Sequence, residues 1–319
     1  MHRRLGPGVA LLIVALLCSL LVSAPLASST PRVASPTPRI AAVGDIACKN
    51  PPGNNRSVCQ YDDVAASIAS RDYDRFLPLG DIQYEYGEYR NFVENYDVYF
   101  GRLLDITSPT TGNHEYGTPR ARGYFRYFGD RAPGPYYSYE LGSWHVVALD
   151  STICSAGGVD CRPGSAQYEW LEADLAAHPA ACTLAYWHHP RWDWLKYQNA
   201  DWTSDYELRR SAPLYKLLYR HGADVLLAGH NHNYSRWMPA DPRGRFDPQR
   251  GITQYVVGTG GRNLNEFGNF HTQPEIFVRG QADAFGFLQL RLLGGGWDFR
   301  WISARGQPDF IDQGSGDCH

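Results

Sequence analysis

The sequence has no apolar run long enough to cross a bilayer as a helix, no C-x-x-C pair, no internal repeat and no basic surplus. Each absence excludes something. The apolar stretch Val9–Val22 falls short of the ~20 residues that a spanning helix needs, so a retained anchor is disfavoured. Without C-x-x-C ligands, disulfides are a better use of the cysteines than a structural zinc site. Lys49, Lys196 and Lys216 are the only lysines, so arginine carries the positive charge. The 30 basic and 33 acidic residues give −3, and losing Arg3 and Arg4 with a leader makes it −5. That balance offers nothing for counterion release on a polyanion, so nucleic acid is not expected as a main partner.

What is present is the composition of a folded chain. Of 319 residues, 43% are hydrophobic and 13% aromatic, enough to bury a sizeable core. Arg3 and Arg4 precede the apolar stretch, and small residues (Ser23, Ala24, Ala27) follow it. That is the layout of a secretory signal peptide, expected over 1–27. Residues 28–38 are rich in Ser, Thr and Pro and read as a disordered lead-in. The chain is therefore expected to be secreted, without a stable membrane span once the leader is removed. Cys48, Cys59, Cys154, Cys161, Cys182 and Cys318 then remain, an even set that leaves 15 pairings open. The close pairs Cys48/Cys59 and Cys154/Cys161 are expected to staple two loops. Cys182 with Cys318 would then tie the C-terminal tail to a strand.

From Arg39 onward, strand-like and helix-like stretches alternate. Ile40–Val43, Phe76–Leu79, Trp144–Leu149, Cys182–Trp187 and Val225–Ala228 read as strands. Ile106–Thr111 does so more weakly because Pro109 interrupts it. Tyr61–Ser70, Tyr89–Phe100, Ser165–Ala177 and Pro213–Arg220 have helical spacing. Thr253–Val257, Phe285–Leu293 and Trp297–Ser303 are later strands with few helices between them. The expected class is α/β at first and more antiparallel at the end, in one domain over 39–319. Arg120–Pro135, Trp192–Asp205 and Arg236–Gln249 read as rim loops. Trp192, Trp194 and Trp202 either line a pocket there or pack on the sheet.

Five short patches carry the chemistry: Gly44-Asp45, Gly80-Asp81-Ile82-Gln83-Tyr84, Gly112-Asn113-His114-Glu115, Trp187-His188-His189-Pro190 and Gly229-His230-Asn231-His232. Four directly follow a strand-like run. In open α/β sheets such positions gather at one rim. Any Gly-Asp alone is more often a turn or cap. His230 and His232 alternate on an extended segment and so share a side. Five oxygen- and imidazole-bearing patches in this order make a kit for holding two metal ions.

The patches resemble those of the calcineurin-like metallophosphoesterases, and more narrowly the purple acid phosphatase branch, over Ile40 to about Ser303. Gln167-Tyr168-Glu169-Trp170-Leu171 and Gly258-Thr259-Gly260-Gly261 add to the likeness. The resemblance implies two packed, mainly mixed sheets flanked by helices, a four-layer sandwich. It implies that one metal takes Asp45, Tyr84 and His232, the other Asn113, His188 and His230, with Asp81 bridging. Carboxylate and phenolate oxygens suit a ferric ion, imidazoles and an amide a divalent one (Fe2+, Zn2+ or Mn2+). The wider superfamily places a histidine where this chain has Ala47; Tyr84 supplies the replacement ligand, as in the purple branch. The plant-type members carry further histidines after the strand-end histidine, and only His221 lies between Pro190 and Gly229 here. They also carry an N-terminal β-sandwich domain, which is expected to be missing.

The implied activity is hydrolysis of small-molecule phosphate monoesters by a hydroxide held between the metals. His114 is the leading candidate for substrate contact and leaving-group protonation, and Asp81 is catalytic as the bridge. Glu115 is expected to orient His114 or raise its pKa. His189, His271, Arg191 and Arg262 are second-tier candidates. A phosphodiesterase on the same scaffold is the alternative, and a non-catalytic secreted binding protein a weaker one.

Overall fold

Two β-sheets organise the chain, and the reason lies in which strands are apolar on both faces. The computed structural model describes residues 2, 37–49, 59–152, 159–194, 211–268 and 274–319. The expected leader, Cys154 with its pairing to Cys161, Trp202 and His271 lie outside the described residues.

In chain order, β1 (Arg39–Val43), α1 (Tyr61–Ala69) and β2 (Arg75–Pro78) come first. A helix α2 follows, α-helical at Tyr89–Asn91 and Asp97–Phe100 with a π turn at Phe92–Tyr96 between. Then come α3 (Arg122–Phe128), β3 (Tyr137–Leu141), β4 (Trp144–Ala148), α4 (Ala166–Ala177) and β5 (Cys182–Tyr186). After α5 (Ala212–Arg220) lie β6 (Val225–Ala228), β7 (Tyr234–Ala240), β8 (Ile252–Val257) and β9 (Phe277–Gln281). The described chain ends with β10 (Gly286–Leu293), β11 (Gly296–Ser303) and β12 (Gln313–Asp317).

One sheet has the order β12-β11-β10-β1-β2, the other β3-β4-β5-β6-β8-β7-β9. β1 and β2 are parallel, as are β4, β5, β6 and β8. The remaining pairings are antiparallel.

Strand alternation divides the seven-stranded sheet's side chains between two cores. Trp144, Val146, Leu184, Val225, Leu227 and Val257 join Ile40, Leu288 and Leu290 of the five-stranded sheet. Val147, Ala185, Leu226 and Val256 instead pack on Leu171 and Leu175 of α4 and Leu214, Leu217 and Leu218 of α5. Val64 and Ile68 of α1 and Phe92 and Tyr96 of α2 cover the five-stranded sheet. The result is helix, sheet, sheet, helix. Between the sheets, Trp144 meets Trp297 edge-on at 6.1 Å, and Trp297 Nε1 donates to Tyr255 Oη at 3.0 Å.

Local chemistry fixes the helices. Asp62 and Asp63 sit in the first turn of α1, where the helix dipole favours negative charge. Ser165 caps α4 by accepting from the Tyr168 amide, and Pro213 opens α5.

Three expectations change. Ile106–Thr111 is not a strand: Thr107 and Thr110 make isolated bridges to Phe76 and Leu79, and Pro109 between them has no N–H to continue a ladder. Arg236–Gln249 is not all loop, because Arg236–Ala240 completes β7. Pro239 is tolerated there because the β7–β8 register shifts between Trp237 and Ala240. Arg120–Pro135 contains α3. The disulfides Cys48–Cys59 and Cys182–Cys318 form as expected.

Candidate metal centre

Asp45 follows β1, Asp81 follows β2, His188 follows β5 and His230 follows β6, so four strands from two sheets deliver donors to one rim. The sheets meet there directly: Gly44 N donates to Val257 O at 2.8 Å, and Gly260 N to Gly44 O at 2.9 Å.

The backbone at three donors is unusual. Asp45 (φ 60°), Asp81 (φ 47°) and His230 (φ 70°) all lie in the left-handed region, which costs a residue with a Cβ roughly 1–2 kcal/mol. The turn swings each side chain off its strand and toward the rim. Gly112 makes room for one of them, since a Cβ there would stand 2.2 Å from Asp81 Oδ1.

The donors converge. Tyr84 Oη donates to Asp45 Oδ1 at 3.0 Å and lies 3.3 Å from Asp81 Oδ2 and 2.9 Å from His232 Nε2. His232 Nε2 is 3.3 Å from Asp45 Oδ1. On the other side His188 Nε2 lies 3.1 Å from Asp81 Oδ2, 3.2 Å from Asn113 Oδ1 and 3.3 Å from His230 Nδ1. Asp81 Oδ2 therefore stands between two groups of donors. All seven sequence-derived ligands are brought together.

Outer partners aim the rings. His188 Nδ1 donates to Leu79 O at 2.9 Å and His232 Nδ1 to Asn263 O at 2.6 Å, which leaves each Nε2 facing inward. The Asp45 carboxylate also accepts from the His230 amide at 2.8 Å, and Asp81 Oδ1 from the His114 amide at 2.8 Å.

The electrostatics are those of a site built around positive charge. Burial, then the charges of Asp45 and Asp81, raise the Tyr84 phenol far above its ordinary value. Burial would raise Asp81 and lower His188, yet their mutual attraction dominates and moves each the other way. His232 is raised too, with the hydrogen bond and charge of Asp45 outweighing burial. Tyr84, His188 and His232 thus hold protons beside an ionised Asp81, where cations would displace them. The spacing fits as well: donors ~2.1 Å from one ion and at right angles lie ~3 Å apart, close to the 2.9–3.3 Å contacts here. The residues present thus fit two metal ions sharing one carboxylate.

His114 lies at the mouth, partly exposed. Its Nδ1 donates to Glu85 O at 2.5 Å, and its Nε2 is 3.8 Å from Asp81 Oδ2. Its ring rests on the Tyr84 ring, with centroids 4.3 Å apart. Glu115 does not orient this imidazole. Its buried carboxylate accepts the amides of Asp81, Ile82, Gln83 and Gly112 at 2.7–3.1 Å, fastening the second and third patches together.

The second-tier residues divide. His189 is buried against His230, with centroids 4.4 Å apart, and its Nδ1 is 3.0 Å from Ser151 Oγ. Arg262 lies over the Tyr84 ring, 4.9 Å from its centre, and pairs with Glu85 at 2.9 Å. Arg191 is instead buried against Trp192 and Pro242. Trp192 and Trp194 are buried in the core beside α5, which favours packing on the sheet.

Sequence reasoning missed Ser151, whose Oγ accepts the amides of both His188 and His189. It follows the end of β4 as the other donors follow theirs, and that position was the available signal.

The chain is similar to known proteins in sequence and in fold. The family model described as calcineurin-like phosphoesterase matches residues 38–234. Purple acid phosphatase 21 of Arabidopsis thaliana is 30% identical over 247 residues, covering 71% of this chain and 52% of that protein. Acid phosphatase type 7 of Homo sapiens is 25% identical over 292 residues, covering 81% and 62%. The chain thus spans about half to three-fifths of these relatives. A solved purple acid phosphatase from yellow lupin seeds shares the fold at a TM-score of 0.69 and 18% identity, covering 89% of this chain and 54% of that one.

Proposed function

The chain belongs to the calcineurin-like phosphoesterase family, and from that premise we propose that it is an exported phosphomonoesterase of purple acid phosphatase type. The observation that carries the reading is the convergence of seven donors on Asp81 Oδ2 and its neighbours. We assign Asp45, Tyr84 and His232 to a ferric ion, Asn113, His188 and His230 to a divalent ion (Fe2+, Zn2+ or Mn2+), and Asp81 to both. Bound there, a metal pair supplies Lewis acidity toward a phosphoryl group and a water acidic enough to attack near neutral pH.

The protein's part is positioning and proton transfer. The carbonyls of Leu79 and Asn263 hold His188 and His232 in one tautomer. His114 Nδ1 is committed to Glu85 O, so His114 Nε2 is the atom that faces a phosphoryl or leaving oxygen. The Tyr84 ring fixes that imidazole from below. The substrate is a small phosphate ester, reached across His114 and Arg262. Export accords with two disulfides among the described residues, where no helix is long and apolar enough to cross a membrane.

Nitrophenyl phosphate tested against its bis-ester checks the substrate class, with the monoester expected to be preferred. Asp81→Asn is expected to abolish turnover; full activity in that variant defeats the bridging assignment. Purified protein is expected to show a visible tyrosinate-to-iron band that Tyr84→Phe removes. Colourless protein fully active with zinc or manganese overturns the ferric assignment and leaves the esterase standing.

A further inference from the structure

A second set of donors lies at the far end of the seven-stranded sheet, where the proposed reaction makes no use of it. His145 stands near the start of β4, whereas the catalytic donors follow the ends of its parallel neighbours. Asp174 lies in the last turns of α4, and His178 follows that helix. His145 Nε2 is 2.9 Å from Asp174 Oδ2, and His178 Nδ1 donates to the Asp174 main-chain O at 2.9 Å and is 3.3 Å from Asp174 Oδ1. One ligand atom from each residue lies within 4.8 Å of the other two.

The surroundings resemble those of a metal site more than those of a simple ion pair. Glu140 Oε1 accepts from His145 Nδ1 at 2.7 Å, which leaves Nε2 as the inward atom of a carboxylate–histidine arrangement. Ser138 Oγ donates to Asp174 Oδ1 at 2.8 Å and so restrains the carboxylate. His145 and Asp174 are buried, while the His178 side chain is 47% exposed and leaves a way in from solvent. Two imidazoles and a carboxylate, with one position open to water, form a donor set that zinc favours.

We propose that His145, Asp174 and His178 form a separate site for a zinc-class divalent cation, outside the catalytic centre. Its role is structural: it ties β4, beside the edge strand β3, to the end of α4. Binding displaces the proton shared between His145 Nε2 and Asp174 to solvent, while His178 gives up its hydrogen bond to the Asp174 carbonyl and carries its proton on Nε2 instead; no oxidation state changes. The inference stands apart from the catalytic proposal.

The test uses the full chain, stripped with chelator and re-equilibrated with zinc, with metal counted by mass spectrometry. Wild type is expected to hold one zinc more per chain than His178→Ala. The same difference of one is expected in an Asp81→Asn background, where the catalytic centre is impaired. His178 and Glu140 are both exposed enough for their variants to fold, as thermal melts in chelator would verify. Glu140→Gln, which keeps all three ligands, is expected to weaken zinc at this site about 10- to 100-fold. Equal zinc counts in wild type and His178→Ala overturn the proposal, and the cluster is then a hydrogen-bonded clamp.

Discussion

At the scale of single residues, the centre depends on groups that no ion would touch. Glu115 is the clearest. Burial and the charge of Asp81 push its carboxyl upward, while the amides of Gly112 and Gln83 oppose that shift. Glu115→Gln replaces an all-acceptor group by one that turns N–H toward N–H. The variant is expected to lose about 2–3 kcal/mol of stability by urea denaturation. Because Asp81 is held through this clasp, kcat is expected to fall more than 10-fold while KM for nitrophenyl phosphate changes little. A stable variant with unaltered kcat would show that the second patch holds its shape unaided. The motif made Glu115 conspicuous in the sequence but misdirected its role. Adjacency to His114 suggests a side-chain partner, whereas the 3₁₀ turn at Glu115–Gly117 carries the carboxylate back onto amides more than 30 residues earlier.

At the scale of elements, legibility follows how local the signal is. β1, β5, β6, α1 and α4 were readable because buried parallel strands are continuous apolar runs and amphipathic helices repeat every three or four residues. β12 was not, since Gln313-Gly314-Ser315-Gly316-Asp317 has no strand propensity, and its pairing to β11 is maintained from outside. The anchors are the Cys182–Cys318 disulfide and His319, whose Nδ1 is 2.9 Å from Asp224 Oδ1. The hydrogen bond to Asp224 raises the His319 pKa, with burial opposing. A raised folded-state value means the contact contributes fully below the unfolded pKa of about 6.5 and is lost as pH climbs through the higher folded one. Wild type should therefore exceed His319→Gln in stability by about 1 kcal/mol in mild acid, and the gap should close on the alkaline side. Thermal melts of the two chains across pH measure it; a gap that widens with pH contradicts this account of the latch.

At the scale of the whole molecule, the centre is a seam. Asp45 and Asp81 hang from the five-stranded sheet and His188 and His230 from the seven-stranded one, so ions bound among them bridge both sheets. The donors were legible because each sits in a short patch that bears glycine or, at His188, ends in proline. The order of strands that unites them was not, because it is set by pairings such as Ile40 with Leu290, far apart in the chain. Without cations the seam crowds two buried carboxylates that must keep protons on their neighbours; with them, ligand linkage adds RT ln(1 + [L]/Kd), about 4 kcal/mol at a thousandfold excess over Kd. Chelation is thus expected to lower Tm by about 10 °C, at about 2–4 °C per kcal/mol for a chain of this size, and refilling to restore it. Asp81→Asn should show a much smaller metal-dependent shift, because the shared oxygen can no longer carry its charge. Calorimetry on both chains decides the matter. Equal Tm values with and without metal would mean that the two sheets already grip each other through packing such as Trp144 on Trp297, and that the ions contribute chemistry alone.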